Sequence, residues 1–343
     1  MERFRKLTRL HSSTLLSFSV MKPRLLFIIR LLISGGVLAL IFSKLDLDKL
    51  AQVAEGMSLP WFAVALLIWG GVPLLASVRW RLLLTSQSIF ISYRKVLDLF
   101  FVGHFFNAFL LGTTGGDLIK ILYASKAAPD KKSEATLTIV IDRIIGLIAI
   151  LIMALILIPL QWNFLTQTPQ TQAAAFAVIG VIFGGICGIA GLLFLPQLEK
   201  IQLLKKVVQR LPYREQRLRL FESYVVFTKS WQTNLNALFI SFMIHCLLFG
   251  SAIAVLRSLG IQVEWLPFIS TLPIIGVLMA VPISISGFGI REGLFVIYLG
   301  LSPLGIDQEH AITFSLLYFC VNLFWSLIGG LFYIGYRHPE LER

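Results

Sequence analysis

Gly115-Gly116-Asp117-Leu118-Ile119-Lys120 interrupts the apolar stretch 96–125, and Gly287-Phe288-Gly289-Ile290-Arg291-Glu292 interrupts the apolar stretch 266–302. Both set glycine beside charge within otherwise oily sequence. A charge at the bilayer centre costs about 2.5–3.5 kcal/mol on insertion scales. Irregular backbone persists at that depth only where protein or water covers it. Each half of 96–125 holds about 14–16 residues, short of the roughly 20 that a spanning helix needs. Basic residues flank that stretch on both sides, Arg94 and Lys95 before it and Lys126, Lys131 and Lys132 after it. Short halves with both ends on one face imply a re-entrant hairpin entering from the cytoplasm. The stretch 266–302, with Pro267, Pro273 and Pro282, splits in the same way and implies a second hairpin entering from outside.

The rest of the chain agrees with a membrane protein. Hydrophobic residues make up 57% of the 343 and charged residues only 14%, against about 25% in a soluble domain. Mean hydropathy is +0.83. No polar stretch is long enough for a separate soluble domain. The net charge of +12 sits in particular loops, which is the positive-inside signature rather than a nucleic-acid footprint. Cys187, Cys246 and Cys320 are isolated in apolar stretches and read as small core residues, without disulfide or metal spacing.

Hydropathy places further spans at 25–43, 61–84, 136–160, 173–195, 235–256 and 311–336. Trp61 and Trp80 suit the two interfaces of the second of these, and Arg79, Arg81, Arg94 and Lys95 return the chain to the inside. The segment Gln161 to Gln172 carries no charge and reads as an outer loop. Residues 1–24 form a basic extension retained as an anchor, with Met21 as an alternative start. Residues 25–336 form the membrane domain and 337–343 a tail. Segment 197–232, with eight basic residues and apolar positions at helical spacing, is expected to lie on the cytoplasmic leaflet; docking of a partner is the other reading. The expected fold is therefore all-α, a polytopic bundle in the cytoplasmic membrane with both termini cytoplasmic. Two broken hairpins from opposite faces are the pattern of an inverted repeat. A conventional count of about eight or nine helices is the competing reading.

Chemistry is expected at the two breaks. A half-helix starting at Gly115 and Gly116 offers free N–H groups and dipole potential to a phosphate, and Lys120 adds a full charge one turn on. Asp117 can pair with Lys120 at i, i+3, or cap the helix beneath a snorkelling lysine. At the second break Ser284 and Ser286 can satisfy backbone groups freed near Gly287 and Gly289. Arg291 offers a forked donor, and Glu292 either holds Arg291, locks the hairpin as an ion pair, or carries a coupling proton. Asp142 and Arg143 are adjacent on a helix, so each needs a partner elsewhere. Lys120 for Asp142 and Asp117 for Arg143 are the natural choices, with snorkelling of Arg143 the alternative. His104 and His245 read as helix-packing hydrogen-bonders. Nucleotide, metal and nucleophile motifs are not found, so neither a cofactor nor an enzyme is expected.

The residues also resemble a known family, the transmembrane region of lysylphosphatidylglycerol synthases, called flippase-like. The resemblance covers most of 25–336. Its marks are Gly103-His104-Phe105-Phe106-Asn107, Gly115-Gly116-Asp117 with Lys120, Asp142-Arg143-Ile144-Ile145-Gly146, and Pro282 through Glu292. Two departures stand out: Leu111-Gly112 replaces the family's usual Pro-Gly, and Lys120 replaces a frequent Arg. A lysine is a point charge where arginine is a bidentate fork. The resemblance implies a stand-alone flippase-like half, without the synthase domain that makes aminoacylated lipid. It implies a lipid translocator in which Lys120, Arg143 and Arg291 contact a phosphate, while Asp117, Asp142 and Glu292 orient them or take a coupling proton. The expected partners are membrane lipids with anionic headgroups, with a second copy of the chain or a lipid-modifying enzyme as others; nucleic acid is not expected. Transport of a small solute or ion through the same cavity, and a non-catalytic partner subunit of a lipid- or glycan-modifying enzyme, are the alternatives.

Overall fold

The computed structural model describes residues 55–109, 115–198, 230–280 and 289–335. The expected span 25–43, the 1–24 extension, Leu111-Gly112, nearly all of 197–232, Ser284, Ser286, Gly287 and the 337–343 tail lie outside the described residues. Among those described there is helix and no strand. The helices are α1 (Leu59–Ser86), α2 (Tyr93–Phe109), α3 (Gly115–Ala127), α4 (Lys132–Leu160), α5 (Trp162–Leu165), α6 (Pro169–Leu198), α7 (Trp231–Ser258), α8 (Trp265–Ala280), α9 (Ile290–Leu299) and α10 (Gln308–Gly335). Five of them, α1, α4, α6, α7 and α10, are long and apolar enough to cross a membrane. The chain is an all-α polytopic membrane protein.

Each expected span that lies within the described residues is a helix, and each starts two to four residues earlier than hydropathy placed it. The uncharged loop 161–172 is shorter than its composition suggests. Gln161 interrupts the helix, Trp162–Leu165 forms one turn over buried Phe164 and Leu165, and Pro169 already starts α6. Proline at the first position of a helix forfeits no hydrogen bond.

Small residues set the packing, as expected where apolar side chains gain nothing by leaving lipid. The most extensive pairing is α1 with α7. Ser251 of α7 donates to the Ala65 carbonyl at 3.0 Å, and the Ser58 N–H reaches the Ser258 carbonyl at 2.7 Å. A Cβ on Gly71 would sit 2.8 Å from Leu247 Cδ1. Helix α10 lies as closely on α2, where a Cβ on Gly329 would stand 2.2 Å from the Phe101 carbonyl oxygen. The aromatic centre of the core is Phe268 and Phe295, packed edge-on to Phe314 at 5.8 and 4.9 Å. Outward faces carry exposed Leu67, Ile144, Phe183, Phe239 and Leu331, as a lipid-facing surface does.

Helices α2 and α3 run antiparallel. Gly103 meets Gly116 at one level, while Val96 and Leu99 share a core with Ala124 at another. Their open ends lie at the start of α4, where Lys131 Nζ binds the Gln87 and Ser88 carbonyls at 3.2 and 3.1 Å. The outer ends of α8 and α9 lie at the other end of α4, where Gln167 donates to the Ser302 carbonyl. The two short pairs therefore present their open ends to opposite ends of the bundle.

Two assignments need correction. Trp80 is not an interfacial anchor: it is 1% exposed and its indole N–H donates to Thr138 Oγ1 at 3.2 Å. Cys187, Cys246 and Cys320 are exposed on the outer faces of α6, α7 and α10 rather than in the core.

Candidate functional site

Arg79 lies seven residues before the end of α1, about 10 Å along the axis at 1.5 Å per residue. It is buried and grips Asp142 of α4 with Nε at 2.7 Å and Nη2 at 2.9 Å. Its third nitrogen, Nη1, donates to Ser241 of α7 at 2.7 Å. Gly146 makes room for the fork, since a Cβ there would lie 3.3 Å from Nη1. Arg79 thus ties three helices together. It was read from sequence as a charge returning the chain to the inside, and it is instead the partner that Asp142 requires. The available signal was Asp142 itself, since a buried carboxylate demands a cation, but the sequence did not say which of the arginines in the spans, Arg79 or Arg81 among them, supplies it.

Lys120 is 6% exposed, on the inward side of α3. Its stem passes over Gly103, where a Cβ would be 2.8 Å from Lys120 Cε. Its ammonium faces the Phe100 ring at 4.0 Å and the Trp80 ring at 5.6 Å. Such contacts are worth about 2 kcal/mol or more when desolvated. Neither Asp117 nor Asp142 bonds to it, contrary to both pairings expected for this lysine. Asp117 goes to Arg143, as the alternative pairing foresaw, with Nε at 2.8 Å and Nη2 at 3.0 Å. That pair is more open: the Arg143 side chain is 49% exposed.

Gly115 and Gly116 are buried in the first turn of α3. A Cβ on Gly116 would fall 1.8 Å from the Gly103 carbonyl oxygen, so glycine is required for the crossing. The Gly116 N–H is not free for a ligand, because Asn107 Oδ1 accepts it at 2.8 Å. Asn107 is therefore a clamp on α3 as well as a lining residue.

A cavity of about 150 Å³ opens among Arg79, Phe100, His104, Asn107, Lys120, Asp142 and Arg143. His104 leans on Trp69 with ring centroids 5.2 Å apart and bonds the Asn322 backbone, while its buried Nε2 has no hydrogen-bond partner among the described residues. His245 likewise makes the helix-packing bond expected of it, Nε2 to the Gly146 carbonyl at 3.1 Å.

The structure does not bring Arg291 to this cavity. Arg291 donates to Glu292 and, at 3.1 Å, to Ser315 Oγ, and lies over the Phe319 ring at 4.7 Å. Glu292, 1% exposed, also accepts the Gly289 N–H at 2.6 Å, which caps α9. Gly289 has φ +84°, a left-handed conformation suited to glycine. The described part of the second break, Gly289 to Glu292, is thus a self-satisfied cluster between α9 and α10, in keeping with the ion-pair reading of Arg291 and Glu292. Among the described residues no group of three His, Cys, Asp or Glu could hold a metal.

Buried ion pairs, interrupted helices and a charged cavity inside an apolar bundle define a multi-pass membrane protein with an internal polar site. The sequence model of the lysylphosphatidylglycerol synthase TM region matches residues 27–330, and the chain belongs to that family. It is also 30% identical over 93 residues to UPF0104 membrane protein PH1989 of Pyrococcus horikoshii, a match spanning 26% of each chain.

Proposed function

We propose that this protein is a lipid translocator of the cytoplasmic membrane. The cavity between α1, α2, α3 and α4 holds the phosphate of a polar-headed lipid while its tails remain in the bilayer. One observation carries the reading: Lys120 is buried against aromatic rings with no carboxylate partner among the described residues, beside a cavity that Arg143 reaches from its exposed side. An unneutralised cation in a low-dielectric setting is costly unless a counter-charge visits it. The family's name, taken from the membrane part of a lipid-modifying enzyme, supports a lipid as that visitor. The α2–α3 pair is read as a hairpin entering from the cytoplasm and α8–α9 as its counterpart from outside, with both termini cytoplasmic. The proposal contains no chemical step, and movement is downhill or ion-coupled.

The test is flipping of a fluorescent anionic phospholipid in proteoliposomes. Lys120→Gln and Arg143→Gln should each slow it at least tenfold; unchanged rates would sink the reading. A second reading has its own support in the size of the cavity. At about 150 Å³ it holds the volume of roughly five waters at 30 Å³ each, enough for a phosphate group and little more. A carrier of small water-soluble anions fits it as well, and uptake of glycerol phosphate without lipid flipping would favour that reading.

A further inference from the structure

A second cavity, of about 480 Å³, lies at the end of α4 away from Lys131, and translocation through the Lys120 site makes no use of it. Its lining comes from the corner where α4 turns into α5 and on toward α6, within Pro159 to Gln167. The corner is tight because Gln161 caps the end of α4 and the start of α5. Helix α5 is anchored by Phe164 and Leu165, which are buried in the core. At 3.6 residues per turn that leaves Trp162 and Asn163 on the open side, where both are exposed. Thr166 Oγ1 closes the turn by donating to the Trp162 carbonyl at 2.7 Å.

The lining groups are held in place and left unused. Trp162 packs edge-on to Phe176 of α6, with ring centroids 5.8 Å apart, and keeps 37% of its surface exposed. Gln167 is pinned by its donation to the Ser302 carbonyl. The side-chain amides of Gln161 and Asn163 and the indole N–H of Trp162 make no hydrogen bond among the described residues. No lining residue carries a charge. An ion would give up water here and gain no counter-charge, so phosphate, carboxylate and ammonium groups are disfavoured. A hydroxyl both donates and accepts, and a side-chain amide answers both needs with its N–H and its carbonyl. The indole adds flat apolar surface and one donor. A ligand with a hydroxyl rim and an apolar C–H face matches this set, and that is a pyranose sugar. The space lies within the roughly 300–1,000 Å³ of small-molecule sites, whereas the Lys120 cavity is about 150 Å³. Trp265, 67% exposed at the start of α8, is placed as an interfacial belt tryptophan is; Trp162 instead lines a hollow among amides.

We infer that this corner binds an uncharged sugar, with the ring stacked on Trp162 and its hydroxyls on Gln161, Asn163 and Gln167. The inference does not rest on the translocator reading and survives its failure. Leu160, 63% exposed, forms an apolar lip to the pocket, so the sugar can arrive as a free saccharide or as the headgroup of a glycolipid.

The test places purified full-length protein in phosphatidylcholine nanodiscs at pH 6.5 and follows ligand binding by saturation-transfer NMR. Maltose and glucose should give a signal above empty nanodiscs. Glucose 6-phosphate and glucosamine, the same ring carrying a negative or a positive charge, should bind at least about fivefold more weakly than glucose. Trp162→Ala should weaken maltose about fivefold or more, and Gln161→Leu and Asn163→Leu about threefold each, with melting unchanged in the two leucine variants. Those two variants carry the test if Trp162→Ala does not fold. No maltose signal above empty nanodiscs, an undiminished signal in the folded variants, or charged sugars binding as well as glucose would each overturn the inference. Nanodiscs containing diglucosyldiacylglycerol separate the sources. Loss of the maltose signal there would assign the site to a lipid headgroup, and its retention would assign it to free saccharides; either result upholds a sugar site.

Discussion

The Arg79–Asp142 pair and the Arg143–Asp117 pair have the same chemistry and different energetic consequences. The first is buried on both sides, at 10% and 9% side-chain exposure. Removing one partner from such a pair costs about 3–5 kcal/mol, because it strands a charge. Asp142→Asn should therefore lower the melting temperature of the purified protein markedly, and replacing Arg79 and Asp142 together by Met and Leu should recover most of it; a double variant as unstable as the single would refute that account. The second pair is half open on the arginine side, where a contact of this kind is worth about 0–1 kcal/mol. At this scale the sequence disclosed Lys120, Asp142, Arg143 and Asp117, since ionisable groups in apolar stretches are conspicuous. It hid Arg79, which stands beside Trp80 and Arg81 near a span's end and reads like any topogenic arginine. Partner choice depends on which helices meet, and hydropathy carries no such information.

Helix existence was legible from hydropathy, and the two breaks were legible from glycine beside charge. What the breaks do was not. Gly116 was expected to offer its N–H to a ligand, yet its main task is to let α3 touch α2 at Gly103. Gly116→Ala would push a methyl into backbone, and overpacking typically costs about 1–3 kcal/mol. With no flexible side chain to yield, the loss should reach the top of that range or exceed it, read as a drop in folded yield and in melting temperature. At the other end of the molecule Asp307 caps α10, its Oδ1 accepting the His310 N–H at 3.1 Å and its Oδ2 lying 2.7 Å from His310 Nδ1. Partial burial works to raise the Asp307 carboxyl, but the donors of His310 outweigh it and hold it below its ordinary value. A depressed carboxyl stabilises above its unfolded value of about 3.9 and loses that contribution as pH falls through the folded value. Asp307→Ala should cost about 1 kcal/mol at neutral pH. The difference from wild type should shrink as the melt is repeated down toward pH 3.

For the whole bundle, the placement of its two ends follows from the loops. Lys131 ties the 87–88 turn to the start of α4 on the end that carries Arg81, Arg94, Lys95, Lys126 and Lys132. On the orientation proposed above, which rests on the positive-inside bias, that end faces the cytoplasm. With the three native cysteines replaced by alanine, Phe90→Cys should react with an impermeant thiol reagent only in inside-out vesicles and Asn163→Cys only in right-side-out ones. Labelling of both from one side would overturn the orientation. The short helix pairs fall where glycine, proline and the flanking basic residues had pointed, and the Arg291–Glu292 cluster shows what those signals do not carry: like motifs in two halves need not keep like duties.

The Asn107–Gly116 clamp has a mechanical corollary. With the tip of α3 stapled to α2 and Gly103 hard against it, that seam is sewn shut. The opposite seam, toward α4, is fastened beside the cavity by the half-wetted Arg143–Asp117 latch. On the function proposed above, a headgroup coming from that side would meet the exposed face of Arg143 first, so the point of entry and the first ionic handhold would coincide.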